Sequence, residues 1–398
     1  MISVEEARAR ILASLRPTAT ETVSVSQAWG RVLAAPVEAR LTQPPGDVSA
    51  MDGYAVRAAD RGPWTVIGSA PAGHPFAGAV GPDQAVRLFT GSLIPAGADA
   101  VALQEDADRD GPALRLHEAP VAGRHVRPGG GDFRCGEMLV AAGCRLGARA
   151  VGLIAAANHP WVSVHARPRI AILATGDEIS LPGDPIGPGG IVSSNAHALA
   201  ALIRSAGGDP IVLPIARDSV DAIAAVADRL GAIDLLVTTG GASVGEHDLI
   251  QPGLGERGFR LDFWKIAMRP GKPLLYGRLG TTPVLGLPGN PVSAFVCGVL
   301  FLVPALARLS GLPGVAPRTT IARLAAGVRA NDHREDHLRA TLAQGPDGEL
   351  LARPFERQDS SLLRLLAGSD GLVVRPPHAE AALAGDPVRV IRLDDGLL

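Results

Sequence analysis

Leu285–Pro291 reads L-G-L-P-G-N-P. The apolar run Thr282–Leu287 before it reads as a buried strand, and the apolar segment Val292–Leu309 after it is long enough for a helix. Asn290 suits the N-cap, and Pro291 suits the first helical position because its missing N–H has no intrahelical partner there. Such a strand-to-helix turn is expected to leave backbone N–H groups free at the positive end of a helix, which makes an anion seat. A single turn of this kind decides little. Two more strand-end glycine turns upstream, with acidic and basic residues beside them, make it informative.

The chain has 398 residues, 46% of them hydrophobic. It is too long for one ordinary core and too apolar for disorder, so about two to four domains are expected. Lys plus Arg number 38 and Asp plus Glu 40, a net charge of −2. That balance argues against nucleic-acid binding, which needs a basic face, and leaves room for a local pocket for a small anion. Cys135, Cys144 and Cys297 show no C-x-x-C spacing. Neither a zinc site nor a disulfide framework is expected, and a reducing, cytoplasmic setting fits. The N-terminus, M-I-S-V-E-E-A-R-A-R, lacks the apolar core of a signal peptide. The longest apolar run, Val292–Leu306, contains Pro304 and is shorter than a membrane span, so it is expected to be a buried helix with no membrane role.

Val4–Leu15 has helical spacing of apolar residues, and Ala28–Ala35 reads as a short helix stopped by Pro36. From Gln43 to Leu139 short alternating runs (Trp64–Ile67, Ala85–Phe89, Ala100–Gln104, Ala113–Leu116) are cut by Gly, Pro and Asp, which predicts a β-rich domain. Arg149–Asn158 looks helical again and is expected to pack with the N-terminal helices. From Arg167 strand-like runs (Arg169–Ala174, Pro210–Ile215, Asp234–Thr239, Pro283–Leu287) alternate with helix-like runs (Ala196–Ala206, Val220–Leu230, Val292–Leu309). This predicts a mostly parallel sheet covered on both faces, with ligand beyond the carboxyl ends of the strands at a topological switch point. After Pro313 short β runs return (Thr319–Leu324, His337–Leu342, Gly371–Val374, Val388–Leu393), as expected of a small C-terminal β domain.

The strand ends carry the chemistry. A-T-G-D-E (Ala174–Glu178) follows the first, T-T-G-G-A-S-V-G-E-H-D (Thr238–Asp248) the third, and L-P-G-N-P the fourth. Glycines admit a ligand close to the backbone, and Asp177, Glu178 and Asp248 beside a phosphate-binding turn are candidates for holding Mg²⁺. F-W-K-I-A-M-R-P-G-K-P (Phe263–Pro273) brings Lys265, Arg269 and Lys272 together. On a strand, Lys265, Ala267 and Arg269 would share one face and attract an oxyanion. The segment is not a Walker A loop, because no glycine stands five residues before Gly271 and Pro273 replaces the hydroxyl residue. In the first β domain, Asp52 (S-A-M-D-G-Y-A), Thr90 (F-T-G-S-L-I-P-A-G-A-D-A) and Asp132 (R-P-G-G-G-D-F-R-C-G) sit in charged turns. Each alone reads as an ordinary turn residue. H-R-E-D-H (His333–His337) lacks the glutamate of a zincin motif and reads as a solvated turn. His247 in the glycine loop reads as structural, and no Ser/His/Asp order or G-x-S-x-G elbow is present.

These motifs, with I-V-S-S-N (Ile191–Asn195) and L-P-G-N-P-V-S-A, occur in an order that resembles the MoeA family over nearly the whole chain. Its members are molybdopterin molybdenumtransferases, related to the E domain of gephyrin. The resemblance implies a multidomain α/β and β fold. Residues 1–42 with 140–166 would form a helical linker domain and 43–139 an inserted β-rich domain. Residues 167–313 would form a MoaB/MogA-like, molybdopterin-binding α/β domain, and 314–398 a C-terminal β-barrel-like domain. It implies a homodimer whose active site lies between the α/β domain of one subunit and the inserted β domain of the other. The implied reaction takes adenylylated molybdopterin and molybdate, cleaves the pyrophosphate link with Mg²⁺, and releases AMP and molybdenum cofactor. A separate molybdopterin adenylyltransferase would supply the substrate, and molybdoenzymes would accept the product.

Carried over by the resemblance, Asp52, Thr90, Asp132, Glu178, Asp218 and Asp248 are catalytic candidates. Asp52, Asp177, Glu178 and Asp248 are metal candidates. Gly240, Gly241, Ser243, Lys265, Arg269, Lys272, Pro288, Pro291 and Ser361 are candidates for the substrate and molybdate. The chain departs from the family pattern where Arg269 stands for lysine, Gly131 for glutamate, and Ser369–Gly371 for A-N-G. Arginine keeps the charge but hydrogen-bonds as a planar fork. A carrier that holds the pterin without inserting metal, and an enzyme that inserts tungstate, are the alternatives these residues leave open.

Overall fold

The computed structural model of the chain describes residues 1–240 and 249–393. At its centre lies a six-stranded sheet in the order Asp209–Val212, Arg169–Ala174, Leu235–Thr239, Thr282–Leu287, Leu275–Leu279, Phe259–Trp264. The first four strands are parallel, and Leu275–Leu279 runs antiparallel to both of its neighbours, Thr282–Leu287 and Phe259–Trp264. Ile170, Ile172, Leu235, Val237, Leu285 and Leu287 pack with helices Asn195–Ser205 and Pro291–Leu309 on one face. Ala171, Leu173, Leu236 and Val284 pack against Val220–Asp228 and Ile250–Gly255 on the other. Burial on both faces is why these strands read as continuous apolar runs. The chain enters at Arg169–Ala174, moves outward to Asp209–Val212, then returns to the opposite side at Leu235–Thr239. That reversal is the expected switch point, and it opens a crevice at the strand carboxyl ends.

The helix from Pro291 to Leu309 is long and apolar enough to cross a membrane, yet 78% of its apolar window is buried inside the protein. Pro304 cannot donate to the preceding turn, and Gly298–Leu302 widens to a π turn in which the Val303 N–H reaches the Gly298 carbonyl. The helix therefore continues through its proline.

The C-terminal strands close on themselves. Glu335–Gln344, Leu350–Pro354, Thr320–Leu324, Pro387–Arg392 and Gly371–Arg375 pair in turn, and Gly371–Arg375 returns to Glu335–Gln344. This barrel encloses Ala322, Leu324, Ala340, Ala352, Val373 and Val390. In the first third, a six-stranded sheet runs Ala100–Leu103, Gly53–Val56, Gln84–Leu88, Trp64–Ala70, Ala113–Leu116, Ala107–Asp110.

Several local expectations are corrected. Residues 28–35 form no helix: Gly30 takes φ +75°, and Val32 and Leu33 bridge to Arg145 and Val164 instead. Helix Val4–Ser14 begins with Ser3 Oγ accepting the Glu6 N–H at 3.0 Å, an N-cap that satisfies an otherwise orphaned donor. Its stripe of Val4, Ala7 and Ile11 does not pack with Ala148–Ala156, which belongs to a core with Val23, Leu33 and Val162. It joins the α/β core beside Leu300 and Phe301, each large side chain contributing about 1.5–3 kcal/mol by burial. The outermost strand is shorter than expected and stops at Val212, although the Leu213 N–H still donates to the Ile172 carbonyl at 2.9 Å. Residues 335–337 are not a solvated turn but open the strand Glu335–Gln344, with Asp336 and His337 buried.

Candidate active site

Three strand ends meet at the switch point because glycine lets them. Gly240 has φ +93°, and a Cβ there would stand 2.6 Å from the Thr175 carbonyl oxygen. Only a residue without a side chain allows this approach. Asn195, the first residue of its helix, binds the ends together: its Nδ2 donates to Thr239 Oγ1 at 2.8 Å and to the Gly289 carbonyl at 2.7 Å. One amide thus ties the third strand to the L-P-G-N-P turn.

Above these ends lies a cavity of about 1050 Å³. Its floor carries residues 174–176, 193–195, 239–240 and 288–291. Glu178 and Asp218 are the carboxylates of its lining, and Arg269, Lys272 and Arg334 its cations. Gln358, Ser360 and Ser361 come from the C-terminal part of the chain. The helix N-terminus is not the open seat the sequence suggested. Pro291 has no N–H, the Val292 N–H is taken by the Ser360 carbonyl at 3.1 Å, and Asn290 Nδ2 donates to Ser360 Oγ at 2.9 Å instead of its oxygen capping the helix. Part of the anion seat is therefore filled by the protein itself. Beside it, Asp359 accepts from the Ser361 hydroxyl at 2.7 Å and N–H at 2.8 Å, which holds its carboxyl below the usual range.

The structure brings together Glu178, Asp218, Gly240, Arg269, Lys272, Pro288, Pro291 and Ser361. It does not bring Asp177 to the wall: its Oδ1 accepts the Asp218 N–H at 3.3 Å, fixing the neighbouring turn. Lys265 is not on a strand with Arg269. The strand ends at Trp264, Lys265 takes φ +69°, and its ammonium lies 4.0 Å from the Trp264 ring centroid. Gly241, Ser243, His247 and Asp248 lie outside the described residues. Asp52, Thr90 and Asp132 belong to the inserted β region and do not line this cavity. Two of them still form a unit. Asp52 Oδ1 accepts the Thr90 N–H at 2.8 Å and its hydroxyl at 2.9 Å, and these bonds hold the Asp52 carboxyl below its ordinary range.

The residue-by-residue reading missed Asn195, Ser293, Arg334, Gln358 and Ser360. Asn195 stood within the quoted I-V-S-S-N, and its position at a helix start was the available signal. Arg334 and Gln358 carried none, since only the docking of the barrel brings them to the cavity. Among the described residues no three His, Cys, Asp or Glu side chains form a metal cluster. Glu178 and Asp218 remain as a pair of carboxylates beside wall cations, a donor set suited to Mg²⁺ shared with substrate phosphates and not to an all-protein cage.

Comparison with known proteins follows the same lines. The family model for the MoeA N-terminal region (domain I and II) matches residues 2–158, that for a probable molybdopterin binding domain 171–308, and that for the MoeA C-terminal region (domain IV) 321–393. The chain is 34% identical to a molybdopterin molybdenumtransferase of Nostoc sp. over 387 residues, covering 94% of this chain and 89% of that one. It is 33% identical to molybdopterin molybdenumtransferase 2 of Mycobacterium tuberculosis, covering 98% and 99%. The solved molybdopterin biosynthesis MoeA protein of Pyrococcus horikoshii superposes with a TM-score of 0.85 at 30% identity, covering 98% and 99%.

Proposed function

This chain belongs to the MoeA family of molybdenum cofactor biosynthesis proteins, and from that premise we propose that it transfers molybdenum to molybdopterin, using adenylylated molybdopterin and molybdate and releasing AMP in the cytoplasm. The observation that carries the reading is the cavity at the switch point, whose lining combines the carboxylates of Glu178 and Asp218, the ammonium of Lys272 and three glycine-containing turns. That arrangement suits a substrate with a pyrophosphate link and an oxyanion beside it. Gly240 lets the strand ends close together beneath the substrate, and Asn195 keeps the floor from spreading. Lys272 attracts molybdate. Glu178 and Asp218 would hold Mg²⁺ together with phosphate oxygens, and the ion when bound would neutralise charge on the scissile link. The preformed geometry places both anions together before reaction, which is where positional catalysis acts.

Asp52 and Thr90 complete the site in this proposal from the partner subunit of a homodimer. The Thr90 hydrogen bonds support that role, because they keep Asp52 ionised and fixed in orientation. A separate adenylyltransferase provides the substrate, and apo-molybdoenzymes take the product.

The test is AMP release from adenylylated molybdopterin with Mg²⁺, with and without molybdate. Molybdate-dependent release that activates an apo-molybdoenzyme supports transfer. Tight pterin binding without AMP release would refute it in favour of a carrier. Mixing the inactive Asp52→Ala and Glu178→Ala variants should restore activity if the site is shared between subunits, since one site of the mixed dimer then carries neither change.

A further inference from the structure

Arg269 stands on the cavity wall, but its Nε and Nη2 N–H groups are already committed. Nε and Nη2 donate to the two oxygens of Asp336 at 2.6 and 2.8 Å, and Nη2 also donates to Asn331 Oδ1 at 3.1 Å. Nη1 lies 3.7 Å from Asp332. Asp336 is only 8% exposed. Swinging Arg269 toward a substrate would leave that carboxylate buried and unpaired, a costly state. Arg334, the second wall arginine, is held by Asp332 through Nε and Nη2. Two arginines are thus offset by two aspartates. Lys272 lines the cavity and makes no ion pair among the described residues.

The backbone around Arg269 is gripped from both sides. The Ala267 N–H donates to the Ile2 carbonyl at 2.8 Å, and the Ala267 carbonyl accepts the Glu335 N–H at 2.9 Å. Met268–Arg269 then pairs in parallel with residues 335–336 of the barrel. Two residues on, Gly271 has φ +109°, and a Cβ there would run into Cys297 Sγ of the long helix. The loop carrying Lys272 is therefore wedged between barrel and helix, and the Arg269–Asp336 fork is its charged fastening. A planar fork on a carboxylate fixes direction as well as distance, which a lysine at this position would not do.

We propose that Arg269 is a positioning residue: it clamps the R-P-G-K-P loop to the C-terminal barrel, so that Lys272, which makes no ion pair among the described residues, meets molybdate from a fixed place. This rests on the molybdenum-transfer reading above. A ligand and a clamp respond oppositely when Asp336 is neutralised. If Arg269 were a ligand, Asp336→Asn would free it and tighten oxyanion binding, whereas Arg269→Gln would weaken it. If it is a clamp, both substitutions remove the same fastening.

The experiment measures molybdate and tungstate binding to the full chain by titration calorimetry, and kcat for AMP release, in Arg269→Gln, Asp336→Asn, the double variant and Lys272→Gln. The expected result is that Arg269→Gln and Asp336→Asn each lower kcat about tenfold, with the double variant no worse than either. Their oxyanion Kd values should rise together, by about three- to tenfold, because both loosen the loop that carries Lys272, while Lys272→Gln raises Kd at least tenfold. Opposite shifts of Kd in Arg269→Gln and Asp336→Asn overturn the proposal, as does an unchanged kcat in both. Should circular dichroism show Arg269→Gln misfolded, Arg269→Lys takes its place in the cycle, because it keeps the charge and loses only the fork. If the parent protein binds neither oxyanion, the transfer reading itself fails, an outcome separate from a failed clamp.

Discussion

Gly240→Ala isolates what the glycine at the switch point does. The residue sits at φ +93°, where an L-amino acid is strained by about 1–3 kcal/mol. The new methyl carbon would lie 2.6 Å from the Thr175 carbonyl oxygen and 3.1 Å from Thr175 Oγ1. An ordinary carbon–oxygen contact is about 3.3 Å, so the first and third strand ends must part by roughly 0.7 Å. Strain and overlap together should destabilise the α/β domain by about 2–4 kcal/mol. Parting the floor by that distance should lower kcat/KM for AMP release by roughly 10- to 100-fold. Gly289→Ala is the matched control. It lines the same cavity, its φ is not in the left-handed region, and its nearest neighbour would be Gly240 Cα at an ordinary 3.6 Å. It should cost less than about 1 kcal/mol. Calorimetric unfolding and steady-state kinetics of both variants check the reasoning. Equal loss of stability in the two, or an unaffected Gly240→Ala, would refute the view that close approach of the turns requires glycine.

Three further outcomes are expected. Asn195→Ala removes the bonds to Thr239 Oγ1 and the Gly289 carbonyl; it should cost about 1–3 kcal/mol of stability and lower kcat more than it raises KM, as steady-state kinetics would show. Thr90→Val deletes the hydroxyl bond to Asp52 and keeps the N–H bond. The Asp52 carboxyl, now held low, should titrate at higher pH, readable by carbon NMR of its carboxyl. A depressed carboxylate stabilises the fold above its unfolded pKa and loses that contribution as pH falls through its folded pKa, so the loss in Thr90→Val should set in at higher pH. Ile11→Ala, at a site 1% exposed in the shared core, should cost about 2–5 kcal/mol by denaturant unfolding even though it is far along the sequence from the sheet it supports.

The parallel strands, their helices and the glycine turns could be read in the sequence because each is local. A run such as Arg169–Ala174, buried on both faces, needs no knowledge of its neighbours to be recognised. Residues 28–35 show the opposite case. Their composition permits a helix, but bridges to Arg145 and Val164, far along the chain, decide against it. Residues 335–337 look solvated because they are polar, yet Asp336 is buried through a partner, Arg269, which stands 67 residues earlier.

The candidate site divides in the same way. The sequence by itself determined that strand ends with glycines, acids and a Lys-containing loop exist, and that their order matches the MoeA family. It also fixed Glu178, Asp218, Gly240 and Lys272 as residues to watch. Only the tertiary structure decided which charges remain free. Pairing depends on distances between segments that sequence spacing does not encode: Asp177 is spent on a backbone N–H, Lys265 on an indole ring, and the first helical N–H of the anion seat on the Ser360 carbonyl. A charge is available to substrate when no neighbour has claimed it, and that is a property of packing.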